Sequence, residues 1–254
     1  MVFRENLCIR CGDCLAVCAQ GAISWDGDVV STDGEKCVLS GDCVEVCYAE
    51  AREIAGREMS VVQVMAEIEQ DIPFYDESGG GVTFSGGEPL SQLDFLLALL
   101  QACKEKEIRT AVDTCGFAPR ETLEDVREYV DLFLYDLKLM DDARHREFTG
   151  VSNESILRNL RILSRQGHNI FLRVPIIPGI NDDDENMCQT GAFAAALPHL
   201  DRVDILPYHH AAAEKYRRLN KVYGLPQSRP PSDKRMAEIA QILRGFGLHV
   251  KIGG

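Results

Sequence analysis

Apolar residues along the last three quarters of the chain switch repeatedly between two periods. Val61, Val64, Met65 and Ile68 recur at helical spacing within 61–71, whereas Gly81-Val-Thr-Phe-Ser85 is a short apolar run closed by Gly86-Gly87-Glu88-Pro89 and reads as a buried strand. A helix over 93–107, a strand over 108–113, a helix near 119–130 and a strand over 131–137 follow. Two helices near 142–149 and 153–166 then precede a strand at 170–175. The remainder reads as a helix near 184–196, a strand at 202–206, a helical stretch from 212, a helix near 232–246 and a last strand at 247–252. Alternation of strand and helix is the mark of parallel βα units. At roughly 30 or more residues per unit, the 196 residues from Met59 onward hold about six units, short of the eight in a closed barrel. The expected fold class is α/β, a partial (β/α)6-type barrel left open.

The beginning of the chain has a different texture. Seven of the ten cysteines fall in the first 47 residues: Cys8, Cys11, Cys14, Cys18, Cys37, Cys43 and Cys47. They form a repeat, Cys8-x2-Cys11-x2-Cys14-x3-Cys18 and then Cys37-x2-Ser40-x2-Cys43-x3-Cys47. Two copies of one pattern imply a small pseudo-symmetric α+β module with a metal site in each half. The expected division is a module over 1–57 and the partial barrel over 58–254.

The spacing C-x2-C-x2-C-x3-C is the bacterial ferredoxin run, in which three thiolates hold one cubane and the fourth crosses to the other cluster. On that scheme Cys8, Cys11, Cys14 and Cys47 hold one [4Fe-4S] cluster, and Cys37, Cys43 and Cys18 hold the second. Paired zinc sites would also use C-x2-C, but zinc needs neither this run nor a crossed fourth ligand. Ala19 and Tyr48 stand where prolines usually follow the fourth cysteine. Ser40 stands where the second run should have its middle cysteine, which leaves a three-iron, serine-ligated, labile or absent second cluster open.

Composition narrows the partners. Lys and Arg number 27 against 40 Asp and Glu, a net charge of −13 with a pI near 4.9. That balance opposes nucleic acid and anionic membrane surfaces as partners. The acidity is densest in the first 58 residues, with five basic and eleven acidic side chains. No apolar run reaches the length of a membrane span, and the start of the chain has no apolar signal region. The expected location is the cytoplasm, where thiols stay reduced and clustered cysteines bind metal rather than forming disulfides. Cys103, Cys115 and Cys188 lie in apolar or helical surroundings and read as packed thiols.

In open α/β folds ligands bind at the carboxyl ends of the strands. Gly86, Gly87, Glu88, Asp113, Asp136 with Lys138, Arg173 and His209 all fall near the ends of expected strands.

These residues sit in longer motifs. Ser78-Gly79-Gly80-Gly81-Val-Thr-Phe-Ser85-Gly86-Gly87-Glu88-Pro89, Asp113-Thr114-Cys115-Gly116 and Asp131-Leu-Phe-Leu-Tyr-Asp136-Leu137-Lys138 resemble the radical S-adenosylmethionine (SAM) enzymes that activate glycyl radical enzymes. So do His145-x3-Thr149-Gly150, Arg173-Val-Pro175-Ile-Ile-Pro178-Gly179-Ile-Asn181-Asp182, Leu206-Pro-Tyr208-His209 and Lys215-Tyr216. The resemblance runs from the cysteine-rich module to about residue 225 and is strongest to the subgroup with a two-cluster insert.

The resemblance implies reductive cleavage of SAM on a [4Fe-4S] cluster and abstraction of a glycine hydrogen by the resulting 5′-deoxyadenosyl radical, in an anaerobic setting. Gly86, Gly87 and Glu88 would meet the methionyl amino group. Asp113 and Asp136 would place negative charge near the sulfonium or a monovalent cation, and Lys138, next to Leu137, would pair with the SAM carboxylate. Lys138 and Asp113 are the implied catalytic pair. Arg173 would bind the SAM carboxylate or the substrate peptide, and His209 the ribose or methionyl group. Ala212 stands where the family usually has glycine, and His210 reads as a surface residue. The implied partners are a glycyl radical enzyme, through its glycine loop, and a flavodoxin or ferredoxin donor. The candidate partners range over diol, glycerol, choline and hydroxyproline-type lyases and decarboxylases.

The family holds its catalytic cluster through C-x3-C-x2-C ahead of the ferredoxin insert, and these 254 residues contain no such triplet. One expectation is therefore an N-terminally incomplete activase. The other is a ferredoxin–barrel electron-transfer or binding protein that has lost radical chemistry.

Overall fold

Period-two alternation is plain in Ile170–Ile176, where Ile170, Leu172, Val174 and Ile176 are buried and Phe171, Arg173 and Pro175 are half-buried. That strand lies inside a parallel sheet, one face packed by helices and the other carrying polar side chains. The computed structural model describes residues 1–209, 216, 218, 224 and 229–253. Two compact units are built on Met1–Glu58 and on Met59–Tyr208 with the C-terminal helix and strand. Most of the helical stretch expected from 212, and His210, Ala212 and Lys215 with it, lies outside the described residues.

In the first unit, β1 (Val2–Phe3) is followed by α1 (Asp13–Val17), the hairpin of β2 (Ile23–Asp26) and β3 (Val29–Thr32), α2 (Asp42–Glu45) and β4 (Arg52–Glu53). β1 pairs antiparallel with β4, and β2 with β3. Ile23, Val30 and Cys43 form its small buried core, against which Phe3, Leu15 and Val17 pack. A core this slight gains from metal ligation, because the ligands bind only when the loops are folded.

The second unit opens with α3 (Val61–Ile68), started by a capping box between Ser60 and Gln63. The helical pattern expected to Asp71 breaks into one 3-10 turn, and α4 (Ile72–Ser78) starts with Pro73 in its first turn. Then come β5 (Gly81–Phe84), α5 (Leu93–Glu105), β6 (Arg109–Thr114), α6 (Arg120–Val126), β7 (Leu132–Asp136), α7 (Asp142–Thr149) and α8 (Glu154–Arg165). The series ends with β8 (Ile170–Ile176), α9 (Asp184–Ala195), β9 (Arg202–Pro207), α10 (Asp233–Arg244) and β10 (Val250–Ile252). The six strands lie in chain order, all parallel, from β5 at one edge to β10 at the other. The open six-unit α/β architecture is the one the periodicity predicts.

One strand departs from expectation. β5 was expected to be buried, yet its residues alternate between exposed and half-buried, because an edge strand has a neighbour on one side only. The main core joins Val112, Phe133, Tyr135, Leu172 and Ile205 of the strands to Leu160, Leu163, Ile239 and Leu243 of the helices. Cys103 is fully buried beside Met65, as a packed thiol, whereas Cys188 on α9 is exposed, against expectation.

Candidate functional site

Strand register assembles the polar group at the carboxyl ends of the second unit. Parallel pairing sets Asp136, the last residue of β7, opposite Arg173 in the middle of β8. Asp113 of β6 lies opposite Leu134, on the same half-buried face. Arg173 therefore reaches both carboxylates. Its Nε donates to Asp136 Oδ1 at 2.9 Å, Nη2 lies 2.8 Å from the same oxygen, and Nη2 donates to Asp113 Oδ1 at 2.5 Å. Ser85, just past β5, donates through Oγ to Asp113 Oδ2 at 3.1 Å. Lys138 Nζ stands 3.9 Å from Asp136 Oδ2.

Two carboxylates and two cations thus alternate in a group whose side chains are roughly a fifth to two fifths exposed. Burial pushes the Asp136 carboxyl up from its ordinary value, partly offset by Arg173 and Lys138, while Asp113 adds to the upward push. Burial pulls Arg173 down, but Asp136 and Asp113 outweigh it and leave the guanidinium above its usual range. Arg173 sits between the two aspartates, so the negative charge expected of them is shared with a guanidinium. An alternating set suits a zwitterion, with an ammonium toward the carboxylates and a carboxylate toward Lys138 and Arg173.

Gly86 has a φ of 125°, and a side-chain carbon at Gly86 or Gly87 would meet nothing within 4 Å, so both leave open space beside the backbone. Glu88 is engaged otherwise than expected. Its Oε1 accepts from Leu90 N at 3.2 Å and Thr114 Oγ1 at 2.7 Å. Its Oε2 accepts from Cys115 N at 2.9 Å and Cys115 Sγ at 3.0 Å. Burial and the Glu88 contact push the Cys115 thiol up to about 11, so at neutral pH it is a donor. Glu88 braces the turn after β6 and is not an open acceptor for an ammonium. Cys115, expected to be a packed thiol, is part of that brace.

Leu137 is 1% exposed and its side chain belongs to the core, so its place in the motif is to set the spacing between Asp136 and Lys138. Buried Asn181 holds that stretch. Its Nδ2 donates to Lys138 O at 2.8 Å and Pro175 O at 2.6 Å, and its Oδ1 accepts from Ile177 N at 2.7 Å. His145, 2% exposed, has Nδ1 within 2.8 Å of Val151 O and 3.0 Å of Thr149 Oγ1, and serves as a loop staple. His209, two residues past β9, belongs to the first unit and is not among the side chains this cluster assembles. Ser85, Thr114 and Asn181 are site residues to which the sequence pattern assigns no role, although each lies inside a quoted motif.

In the first unit the cysteines divide between two cavities. One is lined by Cys8, Cys11, Cys14 and Cys47. The other is lined by Cys18, Cys37 and Cys43 together with Ser40. Among the described residues no three Cys, His, Asp or Glu side chains converge on a single ion position; the thiols ring hollows instead. Arg52, 3% exposed, also lines the first cavity, and its Nη2 is buried without a hydrogen-bond partner. A buried cation with an unused donor beside four thiols fits an anionic cubane, whose sulfur atoms accept such bonds.

Comparisons with known proteins agree with both units. Residues 45–190 match the Radical SAM superfamily model, and 7–51 match the 4Fe-4S dicluster domain. The chain is 41% identical over 256 aligned residues to the trans-4-hydroxy-L-proline dehydratase activating enzyme of Clostridioides difficile, covering 100% of this chain and 85% of that one. It is 37% identical over 260 aligned residues to the choline trimethylamine-lyase activating enzyme of Oleidesulfovibrio alaskensis, covering 99% and 83%. Among solved structures, a domain of pyruvate-formate lyase-activating enzyme from Bacteroides vulgatus matches with a TM-score of 0.59 and 37% identity, over 69% of this chain and 99% of that one. Iron–sulfur clusters and SAM are the cofactors these matches carry.

Proposed function

Since this chain belongs to the radical SAM superfamily and, within it, to the activating enzymes of glycyl radical enzymes, we propose that the carboxyl rim of its parallel sheet binds the amino-acid end of SAM. Bound SAM and iron–sulfur clusters supply the reductive cleavage and hydrogen-atom abstraction that leave a radical on a glycine of the partner. The C-x3-C-x2-C triplet for the catalytic cluster is not among these 254 residues, so no step is assigned through that cluster. The residues present fit the other half of the task. Lys138 and Arg173 receive the methionyl carboxylate, Asp113 and Asp136 receive the ammonium, and Gly86-Gly87 lets the backbone approach.

The module, over 1–57, passes single electrons onward from a flavodoxin or ferredoxin, and the barrel domain, over 58–254, carries the SAM site. The partner is a glycyl radical enzyme of the dehydratase or lyase type, the kind named for the relatives above. The setting is anaerobic cytoplasm; among the described residues no helix is long and apolar enough to cross a membrane.

The observation that carries this reading is the contact of Arg173 with both Asp136 and Asp113 beside Lys138. Equilibrium binding of SAM and of 5′-methylthioadenosine, which lacks the amino-acid end, tests it. SAM binds more tightly by about tenfold or more, the worth of a charged hydrogen bond, and Lys138→Ala removes most of that preference. Equal affinities for the two would remove the amino-acid cradle, and no binding of either would leave an electron-transfer protein.

A further inference from the structure

The two halves of the cysteine module share a backbone, and the match extends to a position where their chemistry differs. In the first loop, Cys8 to Cys14, Arg10 has a φ of 60° and Gly12 of 85°. In the second, Cys37 to Cys43, Leu39 has a φ of 57° and Gly41 of 95°. Each loop then enters a short helix, α1 at Asp13 and α2 at Asp42. The helix-entry bonds match as well: Leu15 N donates to Gly12 O at 2.9 Å and Val44 N to Gly41 O at 2.7 Å. Ser40 thus occupies in the second loop the place that Cys11 occupies in the first. It also lines the cavity ringed by Cys18, Cys37 and Cys43.

Left-handed backbone at a non-glycine residue costs roughly 1 kcal/mol. Leu39 is one of four such residues among those described, and a loop that no longer wrapped a ligand would have no use for it. The Ser40 hydroxyl donates to Asp42 Oδ2 at 2.9 Å, which leaves its oxygen lone pairs free for a metal. Iron in a sulfide cluster prefers soft thiolate to a harder oxygen donor, so the corner at Ser40 is the weakly held one.

We propose that Ser40 is the fourth corner of the second cluster site. The module then holds one all-thiolate cubane and one cubane with a single exchangeable iron opposite Ser40. This deepens the dicluster reading of the module and rests on it. The exchange balances as [4Fe-4S]2+ → [3Fe-4S]+ + Fe2+ + e−. The electron goes to a one-electron oxidant such as ferricyanide, and all four sulfides and the three thiolates are retained. Added Fe2+ and a reductant reverse it.

The test is iron counting with electron paramagnetic resonance on the anaerobically reconstituted chain, before and after ferricyanide. About eight irons per chain fall to about seven, a three-iron signal appears, and Fe2+ with dithionite erases it. Ser40→Cys abolishes both the signal and the iron loss. Cys11→Ser, which places the same oxygen in the first loop, brings the oxidised count down to about six. A wild-type chain that keeps all its iron without a three-iron signal would overturn the proposal, as would a Ser40→Cys chain that loses iron just as readily. Should Ser40→Cys bind only about four irons, the dicluster reading itself fails, and the proposal with it.

Discussion

Glu88 lies directly after the Gly86-Gly87 pair and accepts four hydrogen bonds, from Leu90 N, Thr114 Oγ1, Cys115 N and Cys115 Sγ. A carboxylate offers about four lone-pair positions, so the side chain is saturated within the fold. An amide at this place would turn an N–H against a donor. Glu88→Gln therefore costs about 1–3 kcal/mol, read as a lower urea midpoint, and Cys115→Ser, which keeps a donor, stays near wild type. An unchanged midpoint for Glu88→Gln would show the carboxylate free to face a ligand. Residue identity was legible here and residue role was not. Gly-Gly-Glu marks a site in the sequence, but Thr114 and Cys115 reach Glu88 only once β5 and β6 are in register, and no local pattern records that. Arg173 shows the same limit: expected on its own to bind the SAM carboxylate or the substrate peptide, it is one of a set of three with Asp113 and Asp136.

The turn after β6 shows how one element is fixed by the next. Gly116 has a φ of 68°, and a side-chain carbon there would lie 1.7 Å from the Tyr135 hydroxyl. Tyr135 cannot retreat, being fully buried and donating to Ile156 O at 2.8 Å. Asn159 closes the turn from α8, its Nδ2 donating to Gly116 O and Ala118 O at 2.9 Å each. Gly116→Ala is expected to destabilise the protein by roughly 2–4 kcal/mol, measured by urea unfolding, and to weaken SAM binding because the brace on Glu88 moves with the turn. Wild-type stability would show that the turn is looser than this packing. At this scale the sequence is informative where burial imposes a period. The strands β6 to β9 were each expected within about two residues, as ends usually are. The capping at Ser60 and the restart at Pro73 were not, because side-chain oxygens and a proline decide those boundaries without altering the apolar pattern around them.

Over the whole chain, the strongest sequence signals were counts and spacings. Six βα units follow from the number of alternating segments, and the parallel sheet has six strands in chain order. The two cysteine-bearing runs line two cavities, with Cys47 on the first and Cys18 on the second. What spacing could not give is which groups neutralise one another, since that depends on register across four strands. The second unit also has a groove at the opposite, amino ends of its strands, lined by Gly80, Arg109, Asp131 and Asn169 among others. Its polar groups are engaged: Asp131 Oδ2 accepts from Thr110 N at 2.8 Å, Asn169 Nδ2 donates to Asp131 O at 3.0 Å, and Arg109 Nη1 donates to Gly79 O at 3.1 Å. At the carboxyl rim, by contrast, Arg173, Lys138, Asp113 and Asp136 present both signs of charge, as the proposed SAM site requires. The most direct measurement is a crystal structure of the reconstituted chain soaked with SAM. It should show the methionyl carboxylate in hydrogen-bond reach of Lys138 or Arg173 and the ammonium beside Asp113 or Asp136. SAM lodged in the groove at the amino ends, with those four side chains untouched, would contradict it.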